Sequence, residues 1–310
     1  MRLLFAWLGP LSLVVSVAAQ PASTQSSAKA PAKPPAGAKL PSTARPAGRP
    51  QSVKALLELA HEQSDKKDPR GALETLRQAR ALAPNSEEVL HAYAEASLAT
   101  RAPLPAIPVL EALTRMCPGV GQYHYLLGMA LLRAGDVAAA VLPLKEAERL
   151  EPSEPPILVA LGTALTERTL YPEAKPPLLR ALSLAPDNVE AMAALAEAEE
   201  GLGDMRQAEE HAERALARSG DDATANQVMG MVRMKQDRYA EARDALLRAV
   251  ASDPSSTKAQ YQLSLAYARL GDAASAEKHL ALYRRGAAQA EARLEEVRAL
   301  TGFSMGGMSR

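Results

Sequence analysis

Side chains able to do chemistry are few in this chain and widely spread. The five histidines, His61, His91, His124, His211 and His279, fall at irregular intervals. None forms the His-Glu-x-x-His pair that places two imidazoles on one helix face for a metal. The single cysteine lies in Arg115-Met116-Cys117-Pro118, with one neighbouring cation to favour a thiolate and no second thiol for an internal disulfide. Ser255-x-x-Lys258 has the spacing of a Ser/Lys nucleophile, yet it sits where a serine would cap a helix. No glycine-rich loop follows a strand pattern, and the acidic run from Glu197 to Glu200 reads as a solvated helix face rather than a metal site. These residues predict no catalytic, cofactor or metal chemistry and no small-molecule substrate. Binding is the function class that remains.

The elements that would position a binding surface are helices. Only two Phe and one Trp occur in 310 residues, so the core must be built from Ala and Leu, and no stretch beyond residue 50 alternates in the manner of a strand. Charge is balanced at 36 basic and 36 acidic residues, which gives no overall field for nucleic acid. Six of the basic residues, and none of the acidic ones, lie in residues 1–50, so the remainder is mildly acidic.

Residues 1–19 read as a secretory signal, with Arg2 before an apolar run and Val17-Ala18-Ala19 as a cleavage site. The alternative is an uncleaved N-terminal membrane anchor. Residues 20–50 are almost entirely Pro, Ala, Ser, Thr, Gly, Gln and Lys/Arg with Leu40 as the sole large aliphatic, a composition that predicts a disordered cationic linker suited to weak contact with an anionic envelope surface. The expected location is periplasmic or envelope-associated, in a bacterium.

Beyond residue 50 the chain repeats itself every 34 residues. Pro84, Pro118, Pro152, Pro186 and Pro254 lie on one grid, with Gly220 at the missing mark. Ala72, Ala106, Ala140, Ala174, Ala208, Ala242 and Ala276 form a second column, and Leu76, Leu110, Leu144, Leu178, Ala212, Leu246 and Leu280 a third. A fourth is small throughout: Ala60, Ala94, Gly128, Gly162, Ala196, Gly230 and Ser264. Small residues on one helix let its antiparallel partner approach, and the large column fills the groove between neighbours. Gly135-Asp136, Gly203-Asp204 and Gly271-Asp272 supply a helix stop followed by a helix cap.

The pattern predicts an all-α solenoid of seven antiparallel helix pairs, at 53–86, 87–120, 121–154, 155–188, 189–222, 223–256 and 257–290. A capping helix at 291–301 closes the repeat domain of residues 51–301, and residues 302–310 form a disordered tail. Pro108, Pro143, Pro176 and Pro177 fall within second helices, which predicts bends in units two to four.

Paired helices, a period of 34 and a closing proline resemble the tetratricopeptide repeat, as in Leu158-x-x-Leu161-Gly162-x-x-Leu165, Tyr171, Ala174, Leu178, Ala181 and Pro186. The resemblance implies a non-enzymatic scaffold that binds a peptide or partner protein along the concave face, which first helices line. Helical spacing then selects the groove residues: Gln122, Tyr125, Met129, Leu132 and Arg133; Val159, Thr163 and Thr166; Glu190, Ala193, Glu197 and Glu200; Gln227, Met231 and Met234; Tyr261 and Leu265. A subset of the family grips C-terminal carboxylates through a Lys and Asn pair, and the equivalent first-unit positions here are Leu57 and His61. The alternative function is a structural subunit of an envelope secretion, pilus or polysaccharide export complex.

Overall fold

The computed structural model describes residues 52–100 and 102–301, the side chains of Leu300 and Thr301 excepted. The expectations for residues 1–19, 20–50 and 302–310 lie outside them. Among the described residues the fold is entirely helical: α1 (Val53–Asp65), α2 (Pro69–Leu82), α3 (Glu87–Ala99), α4 (Ile107–Met116), α5 (Gly121–Ala134), α6 (Val137–Leu150) and α7 (Pro155–Glu167) are followed by α8 (Tyr171–Leu184), α9 (Val189–Leu202), α10 (Met205–Arg218), α11 (Ala223–Lys235), α12 (Tyr239–Ser252), α13 (Thr257–Arg269) and α14 (Ala273–Thr301). Each helix packs on its chain neighbours, and successive first helices, α1 through α13 in odd numbers, also touch one another. The result is the solenoid of seven helix pairs.

The repeat columns are its core. Ala72, Ala106, Ala140, Ala174, Ala208 and Ala242 are fully buried, as are Leu110, Leu144, Leu178, Ala212 and Leu246. Helices of this length are marginal alone in water, so stacking must hold them. At the crossings the fit is tight. A Cβ on Gly128, Gly162 or Gly230 would come within 2.4 Å of the Cγ of Leu144, Leu178 or Leu246.

Several helix starts are capped by their own side chains: Asp136 accepts from the Ala139 amide at 3.0 Å, Asn188 from that of Ala191 at 2.8 Å and Asp272 from that of Ser275 at 3.0 Å, whereas Asp204, expected to cap α10, makes no side-chain cap bond. The first turn of α5 borrows its cap from elsewhere, because the Gln122 amide donates to Glu151 Oε1 at 3.1 Å. Between the helices of a pair the chain turns through the left-handed region, at Gly135, Gly203 and Gly271 and, on the same grid, at Lys67, Thr169 and Asp237. Thr169 is β-branched and held at φ 59°, a conformation that costs an L-residue roughly 1–2 kcal/mol. Thr169→Gly should therefore stabilise the protein by about 0.5–1 kcal/mol after the larger unfolded-state entropy of glycine is subtracted. The urea midpoint should rise at constant m-value; a fall would rule the strain argument out.

The second-helix prolines are accommodated in two ways. Pro108 stands in the first turn of α4, where no ladder donor is lost, and that helix is only 10 residues long. Helices α6 and α8 continue through Pro143 and through Pro176 and Pro177, held by Leu144, Ala147, Leu178 and Ala181, all buried beyond the missing donors.

The C-terminal end refines the expected cap. Residues 291–301 are helical, but they prolong α14, which runs unbroken for 29 residues. The helix-stopping position of the grid is here occupied by Ala288, within Ala287-Ala288-Gln289-Ala290, a run of strong helix formers. The unit-seven end keeps Tyr261, Leu265, Leu270 and Leu282 exposed.

Candidate partner-binding groove

First helices carry the residues chosen by spacing, and the structure sorts them by exposure. Arg133, Tyr261 and Leu265 are exposed, while Gln122, Tyr125, Met129, Leu132, Thr163, Met231 and Met234 are half-buried. Val159, Thr166 and Gln227 are buried instead, which corrects their assignment as freely accessible groove residues. Stacking is the cause for two of them. Val159 clusters with Leu158, Ala181 and Ala191, the last of these on the next first helix. The Gln227 side-chain oxygen accepts from Ser256 Oγ at 3.2 Å, at the cap of α13. Tyr261 occupies the same column one unit on. No first helix follows it among the described residues, and its ring lies 5.2 Å from that of Tyr283.

A polar belt crosses the groove at units four and five. Lys258, at the start of α13, reaches Glu197 on α9 with Nζ 2.6 Å from Oε1, and Glu167 and Glu200 stand near the same lysine. The run from Glu197 to Glu200 is thus not the solvated face expected of it, since Glu199 and Glu200 are both buried. Partial desolvation at the end of α7, with Glu197 adding repulsion, pushes the Glu167 carboxyl above the ordinary carboxylate range even though its side chain remains exposed. Burial pushes Glu200 in the same direction, against the pull of Lys258 and Lys235. Burial disfavours the Lys258 ammonium, but Glu197, Tyr171 and Glu200 outweigh it and hold its pKa above the usual value.

A raised carboxylate pKa means that the folded state binds more protons than the unfolded chain, so this contribution to stability falls as pH rises through the window above the ordinary value. Glu200→Gln should accordingly raise the urea midpoint at pH 7, and the advantage should shrink on acidification and vanish below the ordinary carboxylate range. A variant less stable than the parent at pH 7 would contradict this.

Glu199 points away from the belt. Its Oε2 lies 2.7 Å from His211 Nδ1 and its Oε1 3.1 Å from Lys175 Nζ. The remaining reactive side chains stay apart, as their spacing implied. His91 lies beside Tyr123 with ring centroids 5.3 Å apart, and His279 bonds Gln260 at 2.8 Å. Ser255 Oγ donates to Asp253 Oδ1 at 2.6 Å while Lys258 turns to Glu197, which separates the apparent Ser/Lys pair. Desolvation and then the Glu87 carboxylate push the Cys117 thiol up, away from reactivity.

One feature of the groove had little sequence signal, an apolar stripe and Ala288 at the grid position of Pro or Gly. The C-terminal part of α14 outruns α13: a Cβ at Gly286 would already meet Thr257 Cγ2 at 2.7 Å, and Thr257 is the first residue of α13. Fifteen further residues, 287–301, remain helical, a length of about 22 Å at ~1.5 Å each. They carry α14 onto α5. Since α5 also packs on α3, α4, α6 and α7, the side left for α14 is the groove side. Val297 becomes fully buried there, in the same apolar cluster as Leu126, Leu127 and Leu131 of α5.

The sequence profile of the tetratricopeptide repeat matches residues 105–155, 159–223 and 228–291. No curated protein matches the chain. Among solved structures it resembles a tetratricopeptide repeat protein from Parabacteroides merdae, with a TM-score of 0.63 at 14% identity over 81% of this chain and 99% of that one. PilW, a type IV pilus biogenesis factor, gives a TM-score of 0.54 at 18% identity over 68% of this chain and 98% of its own. Cut9–Hcn1, a hetero-tetramer of the APC/C, gives 0.57 at 18% identity over 70% and 43%. At these identities the likeness is one of fold.

Proposed function

Because the chain belongs to the tetratricopeptide repeat family, we propose that it is a non-enzymatic scaffold that holds a segment of a partner protein along the face lined by its first helices. The observation behind this reading is that a helix already lies in that groove: the end of α14 sits against α5 and buries Val297. A face that accepts one amphipathic segment has the shape and apolar content to accept another. The half-buried Met129, Leu132, Met231 and Met234 offer adaptable contacts.

The test is site-specific photo-cross-linking. A photoreactive residue at Met231 or Tyr125 should capture a discrete partner in the native host, and one at Leu142, which is 77% exposed on second helix α6, should not. Equal capture from Leu142 would transfer the interaction to the outer face.

We read residues 1–19 as an export signal and residues 20–50 as a basic tether, which places the scaffold in the cell envelope. N-terminal sequencing of the mature protein should begin at Gln20, whereas a chain starting at Met1 or Arg2 would dismiss cleavage.

A further inference from the structure

Unit seven shows a face that every earlier unit covers. In units one to six the column alanine of the second helix and the residue four positions on are buried, Ala242 and Leu246 fully. Each of those second helices packs on the first helix of the following unit. Their counterparts on α14, Ala276 and Leu280, are only half-buried, because no first helix follows α14 among the described residues. Between α13 and α14 this leaves an open hollow of about 690 Å³, lined by Tyr261 and Leu265 on α13 and by Ala276, Glu277, Leu280 and Arg284 on α14. Two of these residues are charged and lack a mate. Among the described residues Glu277 and Arg284 make no ion pair or side-chain hydrogen bond. A helix pairs charges three or four residues apart, and only Ala and Leu stand at those distances from either of them. They are seven residues apart, about 10 Å along the axis, which is too far for them to meet each other.

We infer that this end of the solenoid is a two-fold interface between two copies of the chain, in which α14 of each copy takes the place that a following first helix fills in units one to six. Opposite charges two turns apart, with Leu280 between them, make the surface complementary to itself. When two identical helices meet antiparallel about a two-fold axis, residues equally far from the axis on opposite sides come together. An axis passing between Leu280 and Ala281 sets each Glu277 against the Arg284 of the other copy and packs the two Leu280 side chains beside it. Antiparallel is also the direction in which each following first helix runs against the second helix before it. Head-to-tail stacking of copies is the other geometry, and it would set unit one on unit seven. There Glu62 is exposed, at a position where the six later first helices carry a buried Ala or Val, such as Ala130 and Val232. Burying that carboxylate would be costly, so the N-terminal end is closed to stacking while the C-terminal end is open. The inference goes beyond the groove reading and assigns Tyr261 and Leu265, selected by spacing for the groove, to contact between copies.

The test is a charge exchange followed by sedimentation equilibrium on the full chain. The parent should form a reversible dimer with a micromolar Kd, because ten lining residues per copy fall short of the roughly 20–30 of a standard interface. Glu277→Arg and Arg284→Glu each set like charges together twice, and each alone should weaken the dimer ~100-fold. Mixed in equal amounts, the two variants should dimerise with each other at close to parental affinity, since every contact is again between opposite charges. The chain carrying both exchanges should dimerise with itself. Both side chains are exposed, so far-UV circular dichroism of the single variants should match that of the parent, and recovery on mixing separates a lost interface from a lost fold. A parent that stays monomeric up to about 1 mM would overturn the inference. So would a dimer that neither single exchange weakens, or one that mixing does not restore, since the contact would then lie away from α14. The groove reading stands under any of these outcomes.

Discussion

Glu199→Ala should lower the free energy of unfolding by about 3 kcal/mol, the low end of the range for breaking a buried ion pair. Glu199 is 1% exposed, and its carboxylate joins three helices, bonding His211 of α10 at 2.7 Å and Lys175 of α8 at 3.1 Å. Removing it strips a partner from both and leaves a polar gap. The loss stays near the low end because Lys175 also has Asp204 at 3.6 Å and Gln207 at 2.8 Å, and its side chain is 26% exposed. Glu199→Gln keeps the volume and one acceptor, so its cost should be about half as large. Lys175 belongs to unit four and Glu199 to unit five, which places the loss at an interface of a nearest-neighbour array. Unfolding should become less cooperative, and amide exchange should separate units one to four from units five to seven. A loss below about 0.5 kcal/mol with a single sharp transition would sink the proposal that this carboxylate clasps the array.

That clasp also shows what was legible in the sequence. The packing columns could be read directly because the solenoid reuses one contact in every unit, and each reuse but that of unit five, with Ala212, leaves a small residue opposite a leucine at the same spacing. Turns were legible for the same reason, at Gly135, Gly203 and Gly271. Contacts made once leave no such record. The Lys258–Glu197 pair spans 61 positions and depends on how far successive units rotate, which no helical-face argument contains. Spacing likewise placed Val159 and Gln227 in the groove, since on an isolated helix they share its face; the following unit leans over that column and buries them. Glu197 to Glu200 read as solvated because acidic residues usually are, whereas here one faces Lys258 and another is clasped by Lys175 and His211. The reach of α14 had one readable sign, Ala288 where the grid calls for Pro or Gly. Where that longer helix would land was not readable.

The crossing of α7 and α8 offers the sharpest test of the small-and-large rule. Leu178 is fully buried over Gly162, and Leu178→Ala should cost about 3 kcal/mol, within the range for a core Leu. Gly162→Ala puts a Cβ 2.3 Å from Leu178 Cγ and 2.5 Å from its Cδ2, so the leucine must shift. Overpacking costs about 1–3 kcal/mol and the better helix propensity of Ala returns about 1 kcal/mol, for a net loss of about 1 kcal/mol. Units one and two already oppose Ala60 to Leu76 and Ala94 to Leu110, so the crossing can open rather than fail. The two changes together should be milder than their sum, because the new methyl fills part of the space the leucine leaves, and unit five already pairs Ala196 with Ala212, both fully buried. The double variant should lose about 2 kcal/mol, a coupling of about 2 kcal/mol between contacting residues. Strict additivity in the cycle would mean that Gly162 is small for a reason other than Leu178, and the rule that generated the whole repeat would lose its physical basis at the place where it is tightest.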